Sequence, residues 1–385
     1  MTRTMNLKNI FIVFILLLIM VGIISSPQES LNSAKEGLNI WLNLLLPSLF
    51  PFIFISNLLI SFGFVKFLGK FLEPIMRPVF KVSGAGIFPF LISMMSGYPM
   101  GAKLSSDLRI KNLISQTEGN RLISFSSTSG PLFILGTVMI GMLSLNAAPL
   151  FLVPHYFAVI TVGFFFRFYK RKKKSKSTTV NTEIKSQNKT LGNAMGFAVK
   201  DSMNSMMLVG GYVIIFTVII NLLLNSHSFN SILIYLSSIF NIDVGILKGL
   251  SAGIIELTNG CYIVANLNID ILHKVLIINF LIAWGGFSIN SQAISFISQT
   301  DLNIGIYLIS KLLHGLFSSI YTYIIYQVFY KNRITSVFLE VNKDLNKASV
   351  DTWLEMFKSS TLIVFSLIIF LILLSIFVNE MRKRT

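Results

Sequence analysis

Long apolar runs alternate with short polar ones along the chain. Runs of about 18 or more apolar residues mark helices that cross a membrane. They fall at 40–62, 122–143, 147–168, 205–224, 275–297, 304–329 and 360–378, and a shorter run at 10–24 makes eight. That first run follows Arg3 and Lys8 and precedes Ser25-Ser26-Pro27, so a cleaved signal peptide competes with a first span there. No clean small-residue cleavage site accompanies it.

Two more apolar stretches, 84–95 and 244–257, are too short to span simply. They run into S-G-Y-P-M-G-A-K-L and T-N-G-C-Y-I-V-A-N-L. Such segments read as re-entrant hairpins or broken helices. Their backbone is tolerated at membrane depth only where protein or a watery cavity satisfies its polar groups. A helix lying on the membrane surface is the alternative, and the lack of a strongly charged face counts against it. The expected fold is an all-α polytopic membrane protein with about eight transmembrane helices and two broken segments, 84–104 and 244–267.

Composition supports this class. Charged residues make up 12% of the chain, about half the share of a soluble domain. One cysteine excludes an internal disulfide framework. The net charge of +16 is concentrated in a few short runs, which is a topology signal and not a nucleic-acid surface. The densest run, Arg167 to Lys176, opens a polar linker (170–199) assigned to the cytoplasm. Lys66, Lys70, Arg77 and Lys81 flank the first broken segment on the same side, and Arg382-Lys383-Arg384 close a cytoplasmic tail. With eight spans, both termini lie inside. The polar stretch 331–358 then falls outside, as an amphipathic segment before the last span and tail (359–385).

The middle of the chain repeats. Blocks 38–169 and 200–330 each hold a long span, a broken segment, a span with a central glycine and a third span, after an N-terminal span and short outer loop (1–37). Ser96-Gly97-Tyr98 lies 163 positions before Asn259-Gly260-Cys261, Gly130 lies 156 before Gly286, and His155 lies 159 before His314. The span count makes the two blocks run in opposite directions. Broken segments at matched places of inverted halves are the sequence pattern of a secondary transporter with a midplane site.

Lys103 is the sharpest candidate within apolar sequence, where a lysine is costly unless paired or hydrated. It reads as a point charge for an anion beside a glycine-rich backbone. Snorkelling to water, or a bridge to Asp107 one turn on, is the structural alternative. Glu256 offers a carboxylate for proton or cation coupling, or a structural partner. Two Gly-flanked polar clusters complete the candidates: Ser126, Ser127, Thr128, Ser129 and Gly130 in one half, and Gly285, Gly286, Ser288, Asn290, Ser291 and Gln292 in the other. Hydroxyls, amides and freed N–H groups at a helix break can replace water around a carboxylate; close helix packing is the alternative. His155 and His314 read as gates or as packing residues, and Cys261 as inert. No metal or cofactor is expected. No H-E-x-x-H, G-x-S-x-G, P-loop or C-x-x-C is present, so an enzyme is not expected.

At S-G-Y-P-M-G-A-K-L, with L-T-N-G and W-G-G-F-S later, the chain resembles the YlbJ (SpoVV) family of sporulation integral membrane proteins, which carry a nucleoside-recognition (gate) type domain. The resemblance covers roughly 38–330. It implies export of dipicolinic acid from the mother cell across the outer forespore membrane. Nucleosides or other small solutes remain alternatives, as does a non-transporting scaffold for other spore membrane proteins. Self-association is a further partner expectation. The motif positions implied are Ser96, Gly97, Tyr98, Pro99, Gly101, Lys103, Thr258, Asn259, Gly260, Gly285, Gly286 and Ser288. A flat aromatic dianion would want cationic or N–H-rich contacts and an aromatic wall, which Lys103 and Tyr98 are expected to offer. The residues by themselves stop at a small anionic solute in a lipid bilayer.

Overall fold

The computed structural model describes residues 7–170 and 190–331, so most of the basic linker, the amphipathic segment and the last span and tail lie outside the described residues. The described chain is helical throughout. Four helices in it are long and apolar enough to cross a membrane, and six if each of two bent pairs counts as one span.

The chain opens with α1 (Leu7–Ser25), bent by 104° into α2 (Pro27–Ile40). Pro27 sits in the first turn of α2, where its missing N–H costs nothing. The stretch 27–37, expected as an outer loop, is therefore helical, and a π-turn (Trp41–Leu45) joins it to α3 (Leu46–Ser61). Gly63, at φ +76°, then redirects the chain into α4 (Phe64–Phe80).

Next comes the first broken segment. A short turn at Gly84–Gly86 leads into α5 (Ile87–Ser96), and α6 (Met100–Ile110) resumes after Gly97, Tyr98 and a cis Pro99. Most of α5 is buried, which excludes the surface-lying alternative. A third helix, α7 (Gln116–Ile123), opens with a capping box between Ser115 and Glu118. It stops at Ile123, just inside the run expected to span at 122–143. Residues 124–130 are non-helical and fully buried, and a π-helix (Leu132–Met142) follows before α8 (Ala148–Phe166). The apolar composition read as one span is thus a helix end, a buried extended stretch and a second helix.

Residues 190–331 begin with α9 (Leu191–Asn225), 35 residues long. It packs on α2 where Gly37 lets the backbones close in; a methyl there would lie 2.8 Å from Ile214 Cα. The helix α10 (His227–Phe240) precedes the second broken segment, α11 (Val244–Ile255) and α12 (Leu257–Ala265), which meet at an extended Glu256. The run at 275–297 is also divided, into α13 (Ile271–Trp284) and α14 (Gly286–Ile297). Gly285 and Gly286 both adopt positive φ (+84° and +72°) between them, a conformation that only glycine takes without strain. Finally α15 (Ile304–Ile325) runs back beside α8 and α13.

Three apolar cores result. One gathers α3 to α7, a second gathers the 132–142 helix, α8, α12 and α13, with Cys261 fully buried in it, and a smaller third joins α6, α7, α14 and α15. Polar ties bind the two blocks at one end. Arg109 makes a two-point bridge to Asp301 (2.7 and 2.8 Å), Gln116 donates to the Asp301 carbonyl, and Asn120 accepts from the Asn303 N–H. The Arg109 hydrogen bond holds the Asp301 carboxyl below its usual range. That contribution is therefore complete above about pH 3.9, the ordinary carboxylate value, and fades as pH falls through the lowered one. Because the pair is part-exposed, Arg109→Ala is expected to cost no more than about 1 kcal/mol. Thermal melts in detergent should show a small fall at neutral pH that shrinks in acid.

Candidate functional site

Four interruptions of helix lie near one another: 97–99, 124–130 and 285–286, which are buried, and Glu256, which is partly exposed. Their backbones touch in two pairs. A methyl on Gly101 would fall 1.9 Å from the Ser126 carbonyl, and one on Gly97 would fall 3.0 Å from the Gly130 nitrogen. A methyl on Gly286 would likewise meet the Leu257 nitrogen at 3.0 Å and the Ile255 carbonyl at 3.1 Å. The two broken segments approach each other through the 285–286 break: Tyr98 reaches one side of it, and the 253–257 backbone lies on the other.

Freed backbone groups find side-chain partners, as burial requires. Thr128 N–H donates to Ser93 Oγ (2.9 Å), Ser129 N–H donates to His155 Nε2 (3.1 Å), and Tyr156 donates to the Ser129 carbonyl (3.2 Å). At the end of α13, the Tyr98 hydroxyl lies 3.1 and 3.2 Å from the Ile282 and Ala283 carbonyls, and Asn290 Nδ2 donates to the Trp284 carbonyl (3.1 Å). Buried polar atoms at this centre without a hydrogen-bond partner among the described residues include Asn290 Oδ1, His155 Nδ1, Ser127 Oγ and Tyr307 Oη.

The charge at the centre comes from Lys311 on α15. It is 2% exposed. Its Nζ donates to the Tyr98 hydroxyl at 2.7 Å and to the Ser127 carbonyl at 3.3 Å, and it lies 3.4 Å from His314 Nδ1. The same nitrogen sits 4.3 Å from the Tyr98 ring centroid, a cation–π distance. None of the ion pairs among the described residues includes it. His314 Nε2 donates to the His155 carbonyl (2.9 Å), and the two imidazole rings are 4.6 Å apart.

Of the residues singled out in the sequence, Gly97, Tyr98, Pro99, Gly101, Ser127, Ser129, Gly130, Gly285, Gly286 and Asn290 lie at these breaks. Ser288 is buried in the first turn of α14. Others have local duties. Lys103 bridges Asp107 (2.6 Å) and Asp201 (2.7 Å), and Asn57 donates to the same Asp201 oxygen at 2.8 Å. Its charge is matched by two carboxylates of α6 and α9, so the structural alternative raised for it describes its contacts. Ser96 donates to its own Ile92 carbonyl. Glu256 caps α12, accepting from the Thr258 and Asn259 N–H groups at 3.0 and 2.8 Å. Gly260 sits a turn inside α12 against Gly253, where a methyl would fall 2.1 Å from the Gly253 Cα; it serves helix crossing. Lys311 was missed. The rule that drew attention to Lys103, an ionisable residue inside an apolar span, applied equally to it, and His314 three residues on shares its helix face. No group of three His, Cys, Asp or Glu able to hold a metal occurs among the described residues.

Interrupted apolar helices closing around a buried, hydrogen-bonded cation define an integral membrane protein with a polar interior. Residues 43–165 match the Gate family, described as nucleoside recognition. Over 376 residues, 91% of this chain and 92% of the other, the sequence is 33% identical to the sporulation integral membrane protein YlbJ of Bacillus subtilis (strain 168). The chain belongs to the YlbJ family of sporulation integral membrane proteins. No solved structure matches it.

Proposed function

We propose that this protein carries a small anionic solute across its membrane, and that Lys311 supplies the charge that receives it. The supporting observation is a fully buried lysine with no carboxylate partner, held against the 97–99 and 124–130 breaks. A buried cation without a counter-charge is costly, and a carboxylate ligand is what would complete it. Tyr98 is the aromatic wall beside that charge.

An inverted repeat is part of this reading. Its support is the parallel pairing of breaks, Gly97 on Gly130 and the Glu256 region on Gly286, together with His155 and His314 at a separation of 159. Glu256 corresponds to Gly97 at that same separation, which sets the second break one turn earlier than Asn259-Gly260-Cys261. Rocking of one block against the other then opens the site to each face in turn.

Dipicolinate, moved from the mother cell across the outer forespore membrane with both termini in the cytoplasm, is the proposed substrate and setting, in keeping with the family. The Gate match favours a nucleoside as second reading. The test is uptake of labelled dipicolinate into liposomes holding the purified protein, with uridine as competitor. Saturable uptake insensitive to uridine is expected. Lys311→Ala is expected to lower uptake at least about thirtyfold, since losing one partner of a buried charge pair costs about 2–5 kcal/mol. Uridine uptake with no dipicolinate uptake would transfer the site to nucleosides. Folded protein that moves neither solute would favour the scaffold.

A further inference from the structure

We infer that the anion crosses together with a proton, and that Lys311 Nζ is the atom that carries it. This rests on the transport reading and adds to it the coupling ion.

A carbonyl can only accept, so the 2.9 Å contact from His314 Nε2 to the His155 carbonyl places the ring hydrogen on Nε2. His314 Nδ1 is then a lone pair directed at Lys311, 3.4 Å away. His155 Nε2 accepts the Ser129 N–H, so it too lacks a hydrogen on that nitrogen. Neither ring, in this arrangement, brings a second cation to the centre. The Tyr98 hydroxyl approaches the Ile282 and Ala283 carbonyls, which it can satisfy only by donating; its own oxygen accepts from Lys311.

The titratable neighbours of Lys311 are Tyr307 and His314 on α15, His155 and Tyr156 on α8, and Tyr98 at the 97–99 break. On α7, which also packs on α15, Glu118 is committed to the Ser83 and Ser115 N–H groups and Arg121 to the Lys81 and Tyr169 carbonyls. The facing stretches 124–130, 278–285 and 286–297 contain no titratable side chain. No aspartate or glutamate faces Lys311 from any of them. The site thus holds one basic nitrogen, several neutral acceptors and no negative charge.

An ammonium there is short of a counter-ion, whereas a neutral amine is tolerated among hydroxyl and imidazole partners. The empty carrier therefore holds Lys311 as the amine. When a carboxylate enters, a proton from water adds to the Nζ lone pair, and the ammonium pairs with the incoming anion. On the far side the carboxylate leaves, the N–H bond breaks, water takes the proton, and Nζ regains its lone pair. One proton moves with each anion, in the same direction. Lys103 cannot serve in this way, because Asp107 and Asp201 keep its charge compensated whether or not a ligand is present. Glu256 is likewise committed to the start of α12.

Proteoliposomes with a pH dye in the lumen test this, using labelled dipicolinate as the probe. Wild-type uptake is expected to acidify the lumen in step with dipicolinate entry and to rise several-fold when the exterior is made more acidic. Lys311→Arg separates charge from proton transfer, because a guanidinium stays protonated. Whatever dipicolinate uptake that variant retains is expected to lose both lumen acidification and acid stimulation. Dipicolinate uptake without lumen acidification, or uptake driven by sodium alone, would overturn proton coupling and leave the transport reading standing. Acid-stimulated uptake by Lys311→Arg at the wild-type level would do the same. Absence of any uptake by folded wild-type protein would instead remove the transport reading, and the coupling with it. Where the arginine variant fails to fold, the wild-type dye measurement decides alone.

Discussion

Lys103→Ala is expected to lower the stability of the protein by about 3 kcal/mol, while Lys311→Met is expected to leave it unchanged or raise it. The two lysines are equally buried, at 2% exposure each, but their surroundings are opposite. Removing Lys103 strands Asp107 and Asp201 beside each other. Breaking a buried ion pair in this way costs about 3–5 kcal/mol, and the low end applies because the Asp201 side chain is 34% exposed. Removing Lys311 strands no charge, and replacing a buried amine by an apolar chain of similar length relieves the cost of burying a polar group. Thermal melts of detergent-solubilised variants separate the cases. A double-mutant cycle adds a check: Asp201→Ala should cost less in the Lys103→Ala background than in the wild type. If Lys311→Met fell as far as Lys103→Ala, Lys311 would be a structural residue and would lose its place in the transport site.

Gly101→Ala should be among the most damaging substitutions in the chain. The added methyl would lie 1.9 Å from the Ser126 carbonyl oxygen, 2.4 Å from its carbon and 2.7 Å from Ser127 Cα. All three are backbone atoms, so no side-chain rotation relieves the collision. The 124–130 stretch must move, and with it the Ser127 carbonyl that receives Lys311. A loss above about 3 kcal/mol is expected, beyond ordinary overpacking. Gly196→Ala is the matched control. It lies within α9 with nothing inside 4 Å of the added methyl, and better helix propensity makes it neutral or slightly stabilising. The yield of monodisperse protein and dipicolinate uptake, measured on both variants, would distinguish a backbone contact from a general intolerance of alanine.

Much of the architecture was legible because its signals are local. Apolar runs gave the helices, and Gly-Tyr-Pro at 97–99 and Trp-Gly-Gly at 284–286 mark real breaks, since those residues change what the backbone can do in place. The second hairpin was harder to read. Gly260 looked like a break, yet it is there so that α12 can cross Gly253, and the turn falls four residues earlier at Glu256. A glycine in apolar sequence carries both meanings, and only the partner helix decides between them. The same limit applies to charge. Along the chain, Lys103 and Lys311 look alike, each a lone cation among apolar neighbours. Asp201, which makes the first a structural bridge, is 98 positions away, and nothing local announces the pairing. The run at 122–143 misled for a related reason: the freed Thr128 and Ser129 N–H groups are satisfied by Ser93 and His155, contacts that composition alone does not reveal.

The single cysteine has a practical consequence. Cys261 is fully enclosed in the second core, and the chain has no other thiol. Natural sequence therefore already supplies a nearly silent background for site-directed labelling. A cysteine introduced beside Tyr98 or Lys311 would be the reactive one, and a membrane-impermeant maleimide added from either face in turn would report which side of the bilayer that position sees. Changes in that pattern with dipicolinate would follow the conformational cycle directly, in the intact protein and without first stripping native cysteines from it.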